Sequence, residues 1–320
     1  MADGLDTRLP FPIPFGWFRI GSRDELAPGQ LVRQRYFGRE LIWWRDGDGR
    51  DSLVDAYCPH LGAHLGYGGR VDGDRLACPF HGWQFDAAGS CVAIPYARRI
   101  PPGAKLRSYP VCVRGPFVFA WFHPRGEEPH FALPDVPELG DPAYGTFLPV
   151  TFDLATHPQE LAENAYDPAH FATVHGHPQP GEIEEIGFEN ERFWVRAKQI
   201  FPSSKGPVDA RNDVDGWGPG FSLTRFSGVA EVLAFGLPTP IEDGRTRMHF
   251  SFVARNPEHD PKIERVAEAF VTETVRQLQQ DKLIWENKCF REKPPLRRSS
   301  SFFSSNMVFV CTIAPSVTAR

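Results

Sequence analysis

The sequence predicts an α+β protein of two domains, an antiparallel β domain followed by a second domain of strands closed by a long helix. Three observations carry that prediction. The 320 residues suffice for two separate cores. From Trp17 to about Phe122 the chain reads as short strands broken by Gly, Asp and Pro. A Pro- and acid-rich interval then gives way to longer strand-like runs and one extended helical stretch.

In the first domain the expected strands are Leu31–Phe37, Glu40–Arg45, Ser52–Ala56, Cys91–Ile94 and Pro116–Phe122, with Asp46-Gly47-Asp48-Gly49 as a hairpin turn. Two loops at one tip carry the chemistry. Cys58 and His60 stand in Cys-Pro-His, Cys78 and His81 in Cys-Pro-Phe-His, with seventeen residues between the pairs. Two thiolates and two imidazoles hold a [2Fe–2S] cluster with the sulfurs on one iron and the nitrogens on the other. Neutral imidazoles raise its potential, so it accepts electrons from an ordinary ferredoxin. This is the Rieske pattern. Pro59 and Pro79 stiffen the loops, Gly62, Gly66, Gly68 and Gly69 permit tight backbone paths, and Gly82-Trp83 closes the second loop. The competing chemistry is structural zinc, but zinc modules of this composition pair Cys with Cys and His with His within one short unit. Here each pair is mixed and lies in strand-rich sequence. His64, in the first loop, reads as a loop or surface histidine because four ligand positions are already filled.

From Pro124 to about Gly145 the chain reads as a linker. Beyond it Gln159–His175 has helical composition, and strand-like runs follow at Arg192–Phe201, Phe221–Phe226, Val229–Leu237 and Met248–Ala254. A long helix is expected from about Pro261 to Lys288. The first helical segment carries Asn164, Asp167, His170 and His175. Two imidazoles and one carboxylate on one face of an iron leave the opposite face open, the facial triad of non-haem Fe(II) oxygenases. His170 and His175 are the candidate imidazoles. Five residues apart on an ideal helix they would diverge by about 140° at roughly 100° per residue, so a bulge or a helix end near Gly176 and Pro178 is required. Asp167, one turn before His170, suits an acceptor for a ligand's ring N–H better than a third ligand, and Asn164 is a possible support. The carboxylate must come from elsewhere, from Asp281 or its rivals Glu273 and Glu286. Taken alone, Asp281 reads as an ordinary exposed helix residue.

Composition narrows the function. A net charge of −5 with both signs interspersed points to neither nucleic acid nor an anionic membrane surface. Met1–Pro10 has no signal pattern and no apolar run reaches membrane-span length, so a cytoplasmic protein without a membrane span is expected. Cys91, Cys112, Cys289 and Cys311 are scattered and read as free thiols. High Pro and Phe contents, 31 and 26, suggest many loops and an aromatic pocket. Phe171, Phe188, Phe201, Trp217, Phe221, Phe226 and Phe235 are its candidates, favouring an apolar substrate. There is no dinucleotide fingerprint or flavin site, so electrons from NAD(P)H arrive through a separate reductase, directly or by way of a ferredoxin. Arg98, Arg99, Lys105, Arg107 and Arg114 read as a basic docking surface for an acidic ferredoxin or, equally, as a solvated face.

From Phe15 to Lys288 the chain resembles the oxygenase (α) component of Rieske non-haem iron oxygenases. Residues 58–69 (Cys-Pro-His-Leu-Gly-Ala-His-Leu-Gly-Tyr-Gly-Gly), 78–86, 94–97 and 163–171 (Glu-Asn-Ala-Tyr-Asp-Pro-Ala-His-Phe) look most like the 3-ketosteroid 9α-hydroxylase and cholesterol 7-desaturase branch. The resemblance implies a Rieske domain over residues 15–123, a linker over 124–148 and a helix-grip (START-like) catalytic domain with an apolar pocket over 149–293. It implies His170, His175 and Asp281 as ligands of a mononuclear Fe(II), and Asp167 as the residue bridging electron transfer between subunits of a homotrimer. It also implies an O2-dependent monooxygenase or desaturase acting on a steroid or sterol. Respiratory Rieske proteins carry a bridged extra cysteine in each loop; Ala63 stands at that place here, so packing alone must hold the cluster. Residues 294–320 depart from the branch, and Met307–Ile313 reads as a terminal strand or loose end. Three other functions fit parts of the pattern: oxygenation of a smaller aromatic substrate, a Rieske electron carrier, and a non-catalytic lipid-binding protein. Intact His170, His175 and Asp281 argue against the last two.

Overall fold

The computed structural model describes residues 8–145, 147–201, 206–228 and 230–291. They form two compact units, one of Trp17–Ala132 and one of the residues up to Gly16 together with those from Leu133 onward. The expected tail, with Cys311 and Met307–Ile313, lies outside the described residues.

The first unit is all β. Its strands are β1 (Gly16–Ser22), β2 (Leu31–Tyr36), β3 (Arg39–Arg45), β4 (Asp51–Asp55), β5 (Arg70–Asp72), β6 (Arg75–Ala77), β7 (Gln84–Phe85), β8 (Cys91–Ala93), β9 (Ser108–Tyr109), β10 (Val111–Arg114) and β11 (Phe117–Phe122). They make three antiparallel sheets in the orders β1-β11-β10, β2-β3-β4-β9 and β5-β6-β7-β8. The expected hairpin forms between β3 and β4, where the Asp46 carboxylate accepts from the Arg50 N–H at 2.9 Å. A core of Ile42, Trp44, Val54, Leu65, Leu76 and Phe85 packs beneath the two cysteine loops. Arg107, expected on a docking surface, instead donates to the His123 carbonyl and lies over the Tyr109 ring.

The second unit is a sheet with helices on one face. It contains β12 (Leu148–Leu154), α1 (Pro158–Asn164), α2 (His170–Val174), β13 (Glu182–Glu189), β14 (Arg192–Phe201), β15 (Val208–Trp217), β16 (Phe221–Ser227), β17 (Val232–Glu242), β18 (Arg245–Ala254) and α3 (Pro261–Trp285). The seven strands are antiparallel in the order β12-β18-β17-β16-β15-β14-β13. Ala267, Phe270 and Val271 of α3 pack on Val232, Ala234 and Phe252, and Trp285 packs on Phe152 and Met248, so the helix is gripped along its length. This is the expected helix-grip arrangement. The single helix expected over 159–175 is two. Pro168 disfavours helical geometry at Asp167, so α1 stops at Asn164 and α2 restarts at His170.

Candidate metal centres and the apolar cavity

The two cysteine loops have the same backbone plan. In the first, the Cys58 N–H donates to the Ala63 carbonyl and the Gly62 N–H to the Cys58 carbonyl, each at 2.9 Å. In the second, the Cys78 N–H donates to the Trp83 carbonyl at 2.8 Å and the Gly82 N–H to the Cys78 carbonyl at 3.1 Å. Both closures need a left-handed glycine, Gly62 at φ +73° and Gly82 at φ +69°. The loops thereby present two buried thiols and two imidazoles to each other. The His60 and His81 rings meet edge to face at 4.7 Å, and Trp83 stacks on His60 at 4.6 Å while donating to the Tyr96 hydroxyl. Burial pushes the Cys58 thiol up to about 11, and Cys78 beside it adds to the rise. Ionising the buried Cys58 thiol there takes a cation, which is what an iron cluster would provide. The buried Nδ1 of His81 has no hydrogen-bond partner, which leaves a nitrogen available to a metal. The four residues fit a [2Fe–2S] cluster. His64 stands apart from them, with Nδ1 accepting from the Gly66 N–H at 3.0 Å and Nε2 4.0 Å from Glu40.

The second centre forms where α2 faces α3. The helix end required by the His170–His175 spacing is present. His175 caps α2, Gly176 turns left-handed at φ +72°, and the N–H groups of both His175 and His177 return to the Phe171 carbonyl. His170, His175 and Asp281 then bring one ligand atom each to within 4.8 Å of one another. Nε2 of His175 lies 3.3 Å and Nε2 of His170 4.0 Å from Asp281 Oδ1, and the two rings are edge to face. The buried Nε2 of His170 has no hydrogen-bond partner. A free imidazole nitrogen, a second one beside it and a buried carboxylate fit a mononuclear Fe(II) site.

The supporting shell differs in detail from expectation. The His170 Nδ1–H is taken by the backbone carbonyl of Asp167, whose carboxylate is half exposed and 4.0 Å away. The His175 Nδ1–H donates to Gln280 Oε1 at 3.1 Å, and the Asn164 amide donates to Asp281 Oδ2 at 3.4 Å. Burial alone would lower the pKa of His175, but the hydrogen bonds to Asp281 and Gln280 outweigh it and hold it above the ordinary value. Asp281 is not an exposed helix residue. It is 4% exposed, on the same face of α3 as Phe270, Gln277 and Trp285. The rival carboxylates serve elsewhere: Glu273 pairs with Arg276, and Glu286 accepts from the Ala155 N–H. The sequence assigns Trp83 only to closing its loop and gives Gln280 no role. Gln280 carried a signal, an amide directly before the buried carboxylate.

The triad opens into a cavity with an empty volume of about 1100 Å³, part of it open to solvent, between the sheet and α3. Inward positions alternate along the strands, Val195, Ala197, Gln199 and Phe201 on β14 and Ala234 and Gly236 on β17, with Phe250 and Phe252 on β18. Of the aromatics expected in a pocket, Phe171, Phe201 and Phe226 line this cavity. Phe188 packs on Tyr166, and Trp217, Phe221 and Phe235 pack on one another.

Residues 16–110 match the Rieske [2Fe-2S] domain family, and residues 120–304 match the 3-ketosteroid 9alpha-hydroxylase C-terminal domain family. The chain is 32% identical to cholesterol 7-desaturase nvd 1 of Ciona intestinalis over 92% of this chain and 67% of that protein. It is 30% identical to a probable 3-ketosteroid-9-alpha-monooxygenase, oxygenase component, of Rhodococcus rhodochrous over 88% of this chain and 75% of that one. Among solved structures, dicamba monooxygenase bound to dicamba superposes with a TM-score of 0.71 at 20% identity, covering 96% of each chain. That likeness concerns the fold. No helix among the described residues is long and apolar enough to cross a membrane.

Proposed function

Because this chain belongs to the Rieske non-haem iron oxygenases, within the family of the 3-ketosteroid 9α-hydroxylase C-terminal domain, we propose that it hydroxylates or desaturates an apolar polycyclic substrate of steroid or sterol type. Dioxygen is the co-substrate, and electrons come from NAD(P)H through a separate reductase or ferredoxin. The observation that carries this reading is the convergence of His170, His175 and Asp281 at the wall of an apolar cavity.

In this reading Cys58, His60, Cys78 and His81 hold the cluster, and His170, His175 and Asp281 hold Fe(II). When bound, these centres supply single electrons and dioxygen activation. The chain's own residues prepare the site. The Asp167 carbonyl and Gln280 accept from the two Nδ1–H groups, so each ring turns its Nε2 toward Asp281, where a cation would lie. Asn164 holds Oδ2 of Asp281 and leaves Oδ1 toward the imidazoles. Phe171, Phe201, Phe226 and Phe252 exclude water and seat a ring system beside the triad. The solvent-facing carboxylate of Asp167, whose own backbone carbonyl accepts from His170, supports its reading as the bridge to a neighbouring subunit's cluster in a homotrimer. A cytoplasmic setting, where NAD(P)H and reductases are at hand, completes the proposal.

The test is dioxygen uptake by cluster- and iron-loaded protein with a surrogate reductase, against sterols, ketosteroids and small aromatic acids, with products identified by mass spectrometry. A steroid product that gains one oxygen or loses two hydrogens is expected. Turnover of aromatic acids alone overturns the substrate class.

A further inference from the structure

Two amides in the cavity wall have hydrogen-bonding capacity that the protein does not use. Gln199 on β14 is 2% exposed, and its Oε1 is buried without a hydrogen-bond partner. Asn212 on β15 carries an Oδ1 in the same condition. Both line the cavity that holds His170, His175 and Asp281. Asn212 pairs with Ala197 across the strands, so Gln199, two residues along, is its diagonal neighbour on the inner face. Gly181 packs on the Gln199 amide, where a Cβ would come within 2.3 Å of Nε2, so the side chain is confined to its place. Two further polar groups of the wall are already engaged: the Ser222 hydroxyl donates to the Gly236 carbonyl and the Thr274 hydroxyl to the Phe270 carbonyl.

A buried amide left unpaired among Phe201, Phe226 and Val214 opposes folding. That penalty is recovered when a molecule in the cavity, water or substrate, brings a matching polar group. We propose that Gln199 and Asn212 are a specificity-determining pair that seats the one oxygen function, hydroxyl or ketone, of an otherwise apolar polycyclic substrate. Each amide carries a donor and an acceptor, so the pair can serve either kind of oxygen. The proposal rests on the steroid-type reading above and adds which part of the substrate the cavity recognises.

The experiment is equilibrium binding to the cluster- and iron-loaded protein, read by quenching of intrinsic tryptophan fluorescence. Three probes share one skeleton: androstane, its 3-hydroxy derivative and its 3-keto derivative. Wild-type protein is expected to bind one or both oxygenated probes about tenfold more tightly than androstane, the worth of about one hydrogen bond. Gln199→Met and Asn212→Leu, tested separately, are each expected to bring that preference down to about twofold or less while androstane binding stays within about twofold. Their Tm should hold or rise, because a buried unpaired group has been removed. Which oxygenated probe loses more identifies the hydroxyl or the ketone. Equal loss for all three probes, or a fall of several degrees in Tm, overturns the pair and leaves the oxygenase reading standing. Wild-type binding of all three without preference does the same. Wild-type protein that binds none of them overturns the steroid reading and the pair with it.

Discussion

Replacing Gln280 by Leu separates a ligand shell that is merely assembled from one whose protons are also placed. Gln280 accepts the His175 Nδ1–H at 3.1 Å, which leaves the lone pair of Nε2 facing Asp281 Oδ1 at 3.3 Å. Without that acceptor the neutral ring gains more by carrying its proton on Nε2, donating to Asp281, because Nδ1 would otherwise be a buried donor with no partner. A metal must then displace a proton before it can bind. Loss of such an outer partner lowers metal affinity by about 10–100-fold. Here the low end applies, about tenfold or 1.4 kcal/mol, because packing against His170 at 5.1 Å and Phe171 at 5.4 Å still fixes the ring plane. Gln280→Glu keeps an acceptor and should retain or tighten binding. The assay is anaerobic competition for Fe(II) between cluster-loaded protein and a chromophoric chelator, with the visible absorbance of the cluster as internal control. Equal affinity of the Leu variant and wild type, or a Glu variant weaker than the Leu variant, refutes the reasoning.

Asp281→Asn, or His170→Ala, should lower iron from about three to about two per chain while the cluster's absorbance and EPR signal persist, whereas Cys58→Ser should remove the cluster signal. Iron analysis paired with EPR checks both. His157 caps α1 as a neutral ring, Nδ1 accepting from the Gln159 N–H and Nε2–H donating to the Pro12 carbonyl, and burial lowers its pKa to about 4. The unfolded chain therefore binds more protons between about pH 6.5 and 4, so stability is full above that window and falls through it by up to about 3 kcal/mol; urea unfolding at both ends, with His157→Gln as the flat control, measures it. Lys288 reaches Glu160 at 2.5 Å and Glu163 at 2.6 Å on α1, and the Glu160 side chain is fully buried. Lys288→Met should cost about 2–4 kcal/mol in thermal or urea unfolding, and adding Glu160→Gln should restore much of it, since the loss lies in a buried charge left unpaired.

What could be read from the sequence divides along a physical line. The cluster loops were legible because their ligands are local: each loop is closed by hydrogen bonds among a few consecutive residues, and Gly62 and Gly82 mark the turns directly. The strands β2, β3, β14, β16 and β18 follow from short-range patterns in the same way, whereas the helix-grip fold came from the family resemblance. β15 did not, because Val-Asp-Ala-Arg-Asn-Asp-Val-Asp is poor strand sequence by composition. Its outward Asp215 is instead secured by neighbours, Arg196 at 2.8 Å and Arg192 at 3.0 Å from β14 and Arg225 at 3.3 Å from β16. Burial alone would raise the Asp215 pKa, but the guanidinium groups hold it below the usual carboxylate range, so the strand is stabilised by partners its own sequence does not contain. Asp281 lies between these cases. Phe270, Thr274, Gln277 and Trp285 recur at three- and four-residue steps, and that stripe passes through Asp281. A carboxylate at a position that helical periodicity assigns to the core must be paired or must bind a cation, because its ionised form cannot stand unsolvated. Glu273 flanks that stripe and reaches Arg276, and Glu286 lies beyond the last turn of α3. Helical spacing leaves Glu273, three residues after Phe270, on offer as well, so it is the burial of Asp281 in the folded chain that singles out the carboxylate meeting His170 and His175.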